Sequence, residues 1–141
     1  HDDDLDLSPV INGLKIESSI AITNLETISP WSCAKSVQTF VNSLIEDVSK
    51  RYKNKIGLVN LISNPDEIGS WYLENKIEQI VVAYAATGPN ASLIKKLIDQ
   101  GLNVIQISKN YDQSAWPHAT HGFFRFKEKI PALIKKLGLN S

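Results

Sequence analysis

The stretch that decides the fold runs Ile80-Val81-Val82-Ala83-Tyr84, Thr87-Gly88-Pro89-Asn90, Leu93-Ile94, Leu97-Ile98, Gly101 and Val104-Ile105-Gln106-Ile107. Its first run is apolar on successive residues. A strand with one wet face alternates apolar and polar, whereas a strand covered on both faces need not, so this run predicts a strand buried on both sides. Gly88-Pro89 then breaks the chain. Leu93, Ile94, Leu97 and Ile98 recur at the spacing of one helix face, and Gly101 is free to take the left-handed conformation that stops a helix. Val104 to Ile107 predicts the next strand. Strand, helix and strand joined by short connections form the right-handed crossover of parallel strands.

The same alternation continues upstream. Ile56 to Ile62 is a nearly continuous apolar run of strand length. In Ser63-Asn64-Pro65-Asp66-Glu67, Asn64 is a capping residue, Pro65 suits a first helical position, and two acids fall where unsatisfied amides favour negative charge. Ile68, Trp71 and Tyr72 are the buried stripe of a short helix. Before them, Val37, Phe40, Val41, Leu44, Ile45, Val48 and Tyr52 give the strongest helical periodicity in the chain, with Ser32 as its expected cap. Ile20-Ala21-Ile22 within 18–24 is a short strand, and His1 to Leu14 is an acidic, Pro/Asn/Gly-punctuated lead-in expected to be mobile. Downstream, Ile130, Leu133, Ile134 and Leu137 predict a last helix, interrupted or restarted at Pro131.

These elements predict an α/β fold: a three-layer, doubly wound, mainly parallel sheet of about four or five strands, Rossmann-like, with helices on both faces. At 141 residues the chain is expected to form a single domain, residues 1–141, with 1–17 as a mobile or edge lead-in.

Composition narrows the function classes. A 43% hydrophobic and 21% charged chain is globular, and no apolar run reaches the roughly 18 residues of a membrane span, so a soluble protein with no membrane partner is expected. Formal charge is zero, which gives no global field for nucleic acid or an anionic membrane. The ends differ: acids dominate from His1 to Glu26, and after Ser108 the bases Lys109, Arg125, Lys127, Lys129, Lys135 and Lys136 outnumber Asp112 and Glu128, as on a lysine-rich solvated helix face. Cys33 is the only cysteine, excluding an internal disulfide framework and suiting a reducing cytoplasm. A chain that opens on His1 and holds no methionine is expected to be an excised piece of a longer protein. The run Asp2-Asp3-Asp4-Leu5-Asp6 lacks the glycine and distal glutamate of a calcium loop, and no metal site is expected there.

In an open parallel sheet, ligands bind beyond the carboxyl ends of the strands. The candidates for holding a cofactor or small ligand are therefore Asn24, Asn64, Tyr84, Gly88, Asn90 and Ser108. The amides that open the helices after Asn64 and Pro89 could hold an anion. Neither the glycine triplet of a dinucleotide site nor a lysine-bearing phosphate loop is present.

The tail from Tyr111 to Phe124 is unlike the rest. Trp116, Phe123, Phe124 and Phe126 are the densest aromatic cluster, and a core lid, a partner interface and a stacking surface are all open to it. His118 and His121 are spaced as on one helix turn, but no Cys, Asp or Glu completes a metal shell, so hydrogen-bonding roles are expected. Trp116, His118, His121, Phe123 and Phe124 are the interface or lid candidates. No catalytic residue is expected, since no nucleophile elbow or acid–base pair is present.

Two groups of residues resemble a known family. The succession Gly57-Leu58-Val59, Asn64-Pro65-Asp66-Glu67-Ile68, Ile80-Val81-Val82, Gly88-Pro89, Leu97 and Gly101-Leu102-Asn103-Val104 is similar to the α/β (antenna-type) domain of photolyases and cryptochromes. The tail Tyr111-Asp112, Trp116-Pro117-His118-Ala119-Thr120-His121-Gly122-Phe123-Phe124 and Phe126-Lys127-Glu128-Lys129-Ile130-Pro131 resembles a bacterial subgroup of photolyase-like FAD-binding proteins. The similarity covers roughly Lys55 to Leu133. The family's opening Trp-Phe-Arg-Arg-Asp-Leu-Arg strand is absent, as is the helical domain that holds FAD and the DNA lesion.

The resemblance implies a noncatalytic accessory domain of a photolyase-like flavoprotein, a lyase in its whole form. It would pack on a helical FAD-binding domain, meet DNA only through the parent, and hold no firmly bound cofactor except, at the strand ends, an antenna pigment. The alternative from the residues alone is a free-standing nucleotide or small-ligand binding module.

Overall fold

The computed structural model describes residues 4–23 and 31–139. The chain clusters into two compact units, His1–Ile107 and Ser108–Ser141. The first contains α1 (Ser8–Ile11), β1 (Ser19–Ile22), α2 (Lys35–Ile56), β2 (Val59–Ile62), α3 (Glu67–Glu74), β3 (Ile80–Ala83), α4 (Pro89–Asp99) and β4 (Val104–Ile107). The second contains α5 (Asn110–Ala115), a 3-10 turn (Trp116–His118), α6 (Gly122–Lys127) and α7 (Ile130–Lys136).

The chain is mixed α/β with parallel strands. β1 pairs with β2 in the register Ser19 to Val59 through Ile22 to Ile62, and β3 pairs with β4 from Ile80 to Val104 through Ala83 to Ile107. Among the described residues, hydrogen bonding joins the strands as two separate pairs, where one continuous sheet of four or five was expected. β1 and β3 each use one edge for pairing.

Apolar side chains pack on both faces of the strands, although Leu61 of β2 and Ile105 of β4 stay 52% and 40% exposed. On one face Val10, Ile11, Ile56 and Ala83 form a core with Val59, Val81 and Ile107 against it. On the other, Ile62, Ile68, Leu93 and Leu97 form a core with Ile20, Ile22, Ile80 and Val104. The alternation along β3 is consistent, with Val81 and Ala83 on the first face and Ile80 on the second, as a period of two demands. Side chains of α1 and α2 thus serve one face, and side chains of α3 and α4 the other. Each core draws on both strand pairs, and each buried Ile or Leu contributes roughly 1.5–3 kcal/mol.

Element boundaries follow local chemistry. The expected strand from Ile56 begins three residues later, because α2 continues to Ile56 and closes with the Gly57 amide on the Lys53 carbonyl at 2.9 Å. At its start α2 has Ala34, not Ser32, in the cap position and no side-chain cap. Asn64 behaves as a capping residue just ahead of α3, its Oδ1 accepting the Asp66 amide at 3.0 Å. Pro89 opens α4 and Pro131 lies in the first turn of α7, so the latter restarts a helix after α6. Gly101 ends α4 at φ +88°, with Leu102 N–H on Leu97 O at 3.1 Å and its own N–H on Ile98 O at 2.9 Å.

The lead-in is packed in its later part. Val10 and Ile11 are buried, and Tyr52 Oη donates to Asp6 Oδ1 at 3.1 Å while Ser8 Oγ lies 3.1 Å from the same hydroxyl. Asp6 Oδ1 also accepts the Ser8 amide at 3.2 Å, which orders the entry to α1. Asp2 and Asp3 lie outside the described residues, as do Glu26, Ser29 and Pro30. Among the described residues no helix is long and apolar enough to cross a membrane.

Candidate functional site

The predicted strand-end residues are spread over three places. Tyr84, Gly88 and Asn90 come together on the loop from β3 into α4. Asn64 sits on the loop from β2 into α3, and Ser108 opens the second unit. Asn24 lies outside the described residues.

The β3–α4 loop is shaped by its backbone. Tyr84 N–H donates to Ile107 O at 2.9 Å, extending the pairing with β4, and Ala85 N–H reaches Gln106 Oε1 at 3.4 Å. Gly88 takes φ +111°, a conformation that L side chains rarely adopt, although the space around it is open. Asn90 follows in the first turn of α4 and is 5% exposed, the one polar residue buried as a whole among the described residues. It borders a cavity of about 70 Å³ that Ile20, Ile22, Val82 and Leu93 also line.

The two helix starts differ electrostatically. At α3 the first turn carries Glu67, and Asp66 precedes it, paired with Lys96 at 2.7 Å. An incoming anion there meets two carboxylates. The first turn of α4 has no acid, so Gly88 to Asn90 is the more favourable start for negative charge.

A larger cavity, about 730 Å³, lies within the first unit. It is bordered by five consecutive residues at each of β1 and β3, 18–22 and 79–83. A strand face contributes only every second residue, so the strands turn their edges toward the cavity. Leu7, Val10, Ile11, Val48 and Trp71 add apolar wall, and the ionisable neighbours are Asp4, Lys15, Glu17, Lys76 and Glu78. Lys15 and Glu17 pair at 2.6 Å, and that hydrogen bond, with the carboxylate charge, raises the Lys15 pKa above its ordinary 10.5. Sequence reasoning placed candidates at strand ends and missed this cavity. Strand edges are made of backbone, which leaves no mark in the side-chain pattern.

In the second unit the predicted interface residues lie on two short elements that follow one another in the chain. Trp116 and His118 bound the 3-10 turn, His121 precedes α6, and Phe123 and Phe124 lie in its first turn. Trp116 is 45% exposed, Phe123 65% and Phe124 82%. The two phenylalanine rings meet edge to face, centroids 5.7 Å apart at 69°. His121 Nδ1 lies 2.7 Å from Thr120 Oγ1, and both histidines are exposed. Ser108 Oγ is buried and makes no hydrogen bond among the described residues.

Among the described residues no group of three or more His, Cys, Asp or Glu gathers to hold a metal ion. No known protein family, no curated protein and no solved structure matches the chain.

Proposed function

We propose that the chain is a noncatalytic α/β accessory module of a photolyase-like flavoprotein, docking on a helical FAD-binding domain through the segment from Trp116 to Phe124. The observation that carries this reading is the exposure of Phe123 and Phe124, 65% and 82%, together with that of Trp116, 45%. Aromatic side chains gain several kcal/mol from leaving water, and neighbouring exposed rings favour a surface completed by another protein face. DNA then concerns the parent protein alone. The parallel pairs with helix residues on both faces favour the doubly wound order β2-β1-β3-β4, in which β1 and β3 are inner strands.

The test is a titration of the full chain with an FAD-loaded helical domain of a photolyase-like protein, followed by light scattering. A complex that Phe124→Ser weakens at least tenfold is the expected result. No complex at high micromolar concentrations would overturn the reading.

A second reading, a small-ligand module, is favoured by the 730 Å³ cavity that β1 and β3 both border. In the proposed strand order this is where the connections reverse direction, and cavities of that size suit small ligands. A near-ultraviolet-absorbing pigment or a nucleotide would stabilise the chain in a thermal-shift panel of flavins and adenine nucleotides. No shift at millimolar nucleotide and saturating flavin removes this alternative.

A further inference from the structure

The exposed phenylalanines are followed along the chain by a run rich in positive charge. Arg125, Lys127 and Lys129 follow Phe123 and Phe124 directly, all of them exposed. No ion pair found among the described residues involves any of the three, whereas Lys15, Lys50, Arg51, Lys95 and Lys96 all have carboxylate partners. Glu128, also exposed, is the only acid within this run. Across Ser108–Ser141 six bases face two acids, a net charge of +4, so the remaining residues of this neutral chain carry −4.

We infer that α6 and the residues just after it are a docking surface for an acidic protein face, one that presents an apolar centre edged with carboxylates. The inference rests on the docking reading above and adds the chemistry of the partner. Apolar contact supplies the centre, and charge complementarity supplies orientation and a faster encounter. Nucleic acid fits less well. Successive bases stack on flat ring faces, and here the edge of one phenylalanine meets the face of the other, leaving no pair of parallel platforms. The −4 of the remaining chain also opposes a polyanion.

The experiment uses the full chain and three probes: the FAD-loaded helical domain, a fluorescein-labelled helical peptide with a leucine stripe edged by glutamates, and labelled oligo(dT). Binding is read by anisotropy at 50 and 500 mM NaCl for the wild type, for Arg125→Glu with Lys127→Glu, and for Phe124→Ser. Circular dichroism and the thermal midpoint verify that each variant is folded. The expected result is peptide binding that weakens at least tenfold in high salt, at least tenfold on charge reversal and at least fivefold on Phe124→Ser, with oligo(dT) weaker throughout. If charge reversal leaves binding of both protein probes unchanged while Phe124→Ser abolishes it, the acidic partner is refuted and the docking reading stands. If neither change affects binding of the helical domain, both fall. Oligo(dT) binding tighter than peptide, or no peptide binding at all, overturns the inference.

Discussion

Replacing Lys76 by glycine will stabilise the chain, although it deletes a charged side chain and adds no contact. Three helices close with the same pair of hydrogen bonds. In α4 the donors are Leu102 and Gly101, in α7 Leu139 and Gly138, and in α3 Ile77 to Tyr72 O at 3.0 Å and Lys76 to Leu73 O at 3.1 Å. The residue before the last must be left-handed, and it is glycine at φ +88° and +66° in the first two but Lys76 at φ +52° in the third. An L side chain there costs about 1–2 kcal/mol. Glycine gives back about 0.5–1 kcal/mol through its freer unfolded chain. The net gain is therefore about 0.5–1 kcal/mol. Lys76 is exposed and belongs to no ion pair found among the described residues, so no lost ion pair is set against that gain. With an unfolding entropy of about 2.1 cal/mol/K per residue, a 141-residue chain gains about 2–3 °C in thermal midpoint. The assay is paired urea and thermal unfolding with an unchanged denaturant slope. Gly101→Ala is the mirror experiment: the added methyl meets nothing within 4 Å, so its loss of about 0.5–1 kcal/mol is conformational alone. An unchanged or lower midpoint for Lys76→Gly, with Gly101→Ala destabilising as expected, would refute the left-handed end of α3.

The remaining predictions concern packing and charge. Ile68, 1% exposed in the second core, will cost about 2–5 kcal/mol on truncation to alanine, read as a lower urea midpoint. Tyr52→Phe removes the hydroxyl shared by Asp6 and Ser8, so hydrogen-exchange protection of the Val10 and Ile11 amides will fall several-fold while that of β3 is unchanged. Asp66 and Lys96 are both more than half exposed, so a double-mutant cycle will give a coupling below about 1 kcal/mol that vanishes in molar salt. Glu17→Gln will bring the Lys15 pKa down toward 10.5, measurable by NMR titration of its side-chain carbon. Because the folded value is raised, the pair's contribution is complete below 10.5 and lost as pH rises through the folded value.

Much of the architecture was legible because side chains carry it. The apolar runs at 80–83 and 104–107 announced two strands, and Leu93, Ile94 and Leu97 announced the helix between them. Ile98 was assigned to the same stripe, yet it is 45% exposed, since it lies a turn past Ile94 at the edge of the buried arc. The partition into two strand pairs was not legible. An apolar run reports that faces are covered, whereas edges are joined by backbone groups common to every residue. The Gly88 to Asn90 turn was readable from glycine and proline chemistry, but the burial of Asn90 was not. For the aromatic tail, adjacency offered a clue: Phe123 and Phe124 stand about 100° apart on a helix, so a narrow buried stripe cannot take both. That both stay in water depends on neighbours the pattern does not specify.

The length of α2 divides its amides into two populations. Its 22 residues span about 33 Å, whereas each strand, at four residues, spans about 13 Å. From Ile45 onward the helix borders the cavity beside the strands, while Val37 and Phe40 in its first turns remain 45% and 63% exposed. Amides near Ile56 therefore exchange with solvent only when the core opens, and those ahead of Val41 exchange by fraying. One covalent helix carries two lifetimes, and the slower is that of the core it shares with Ala83.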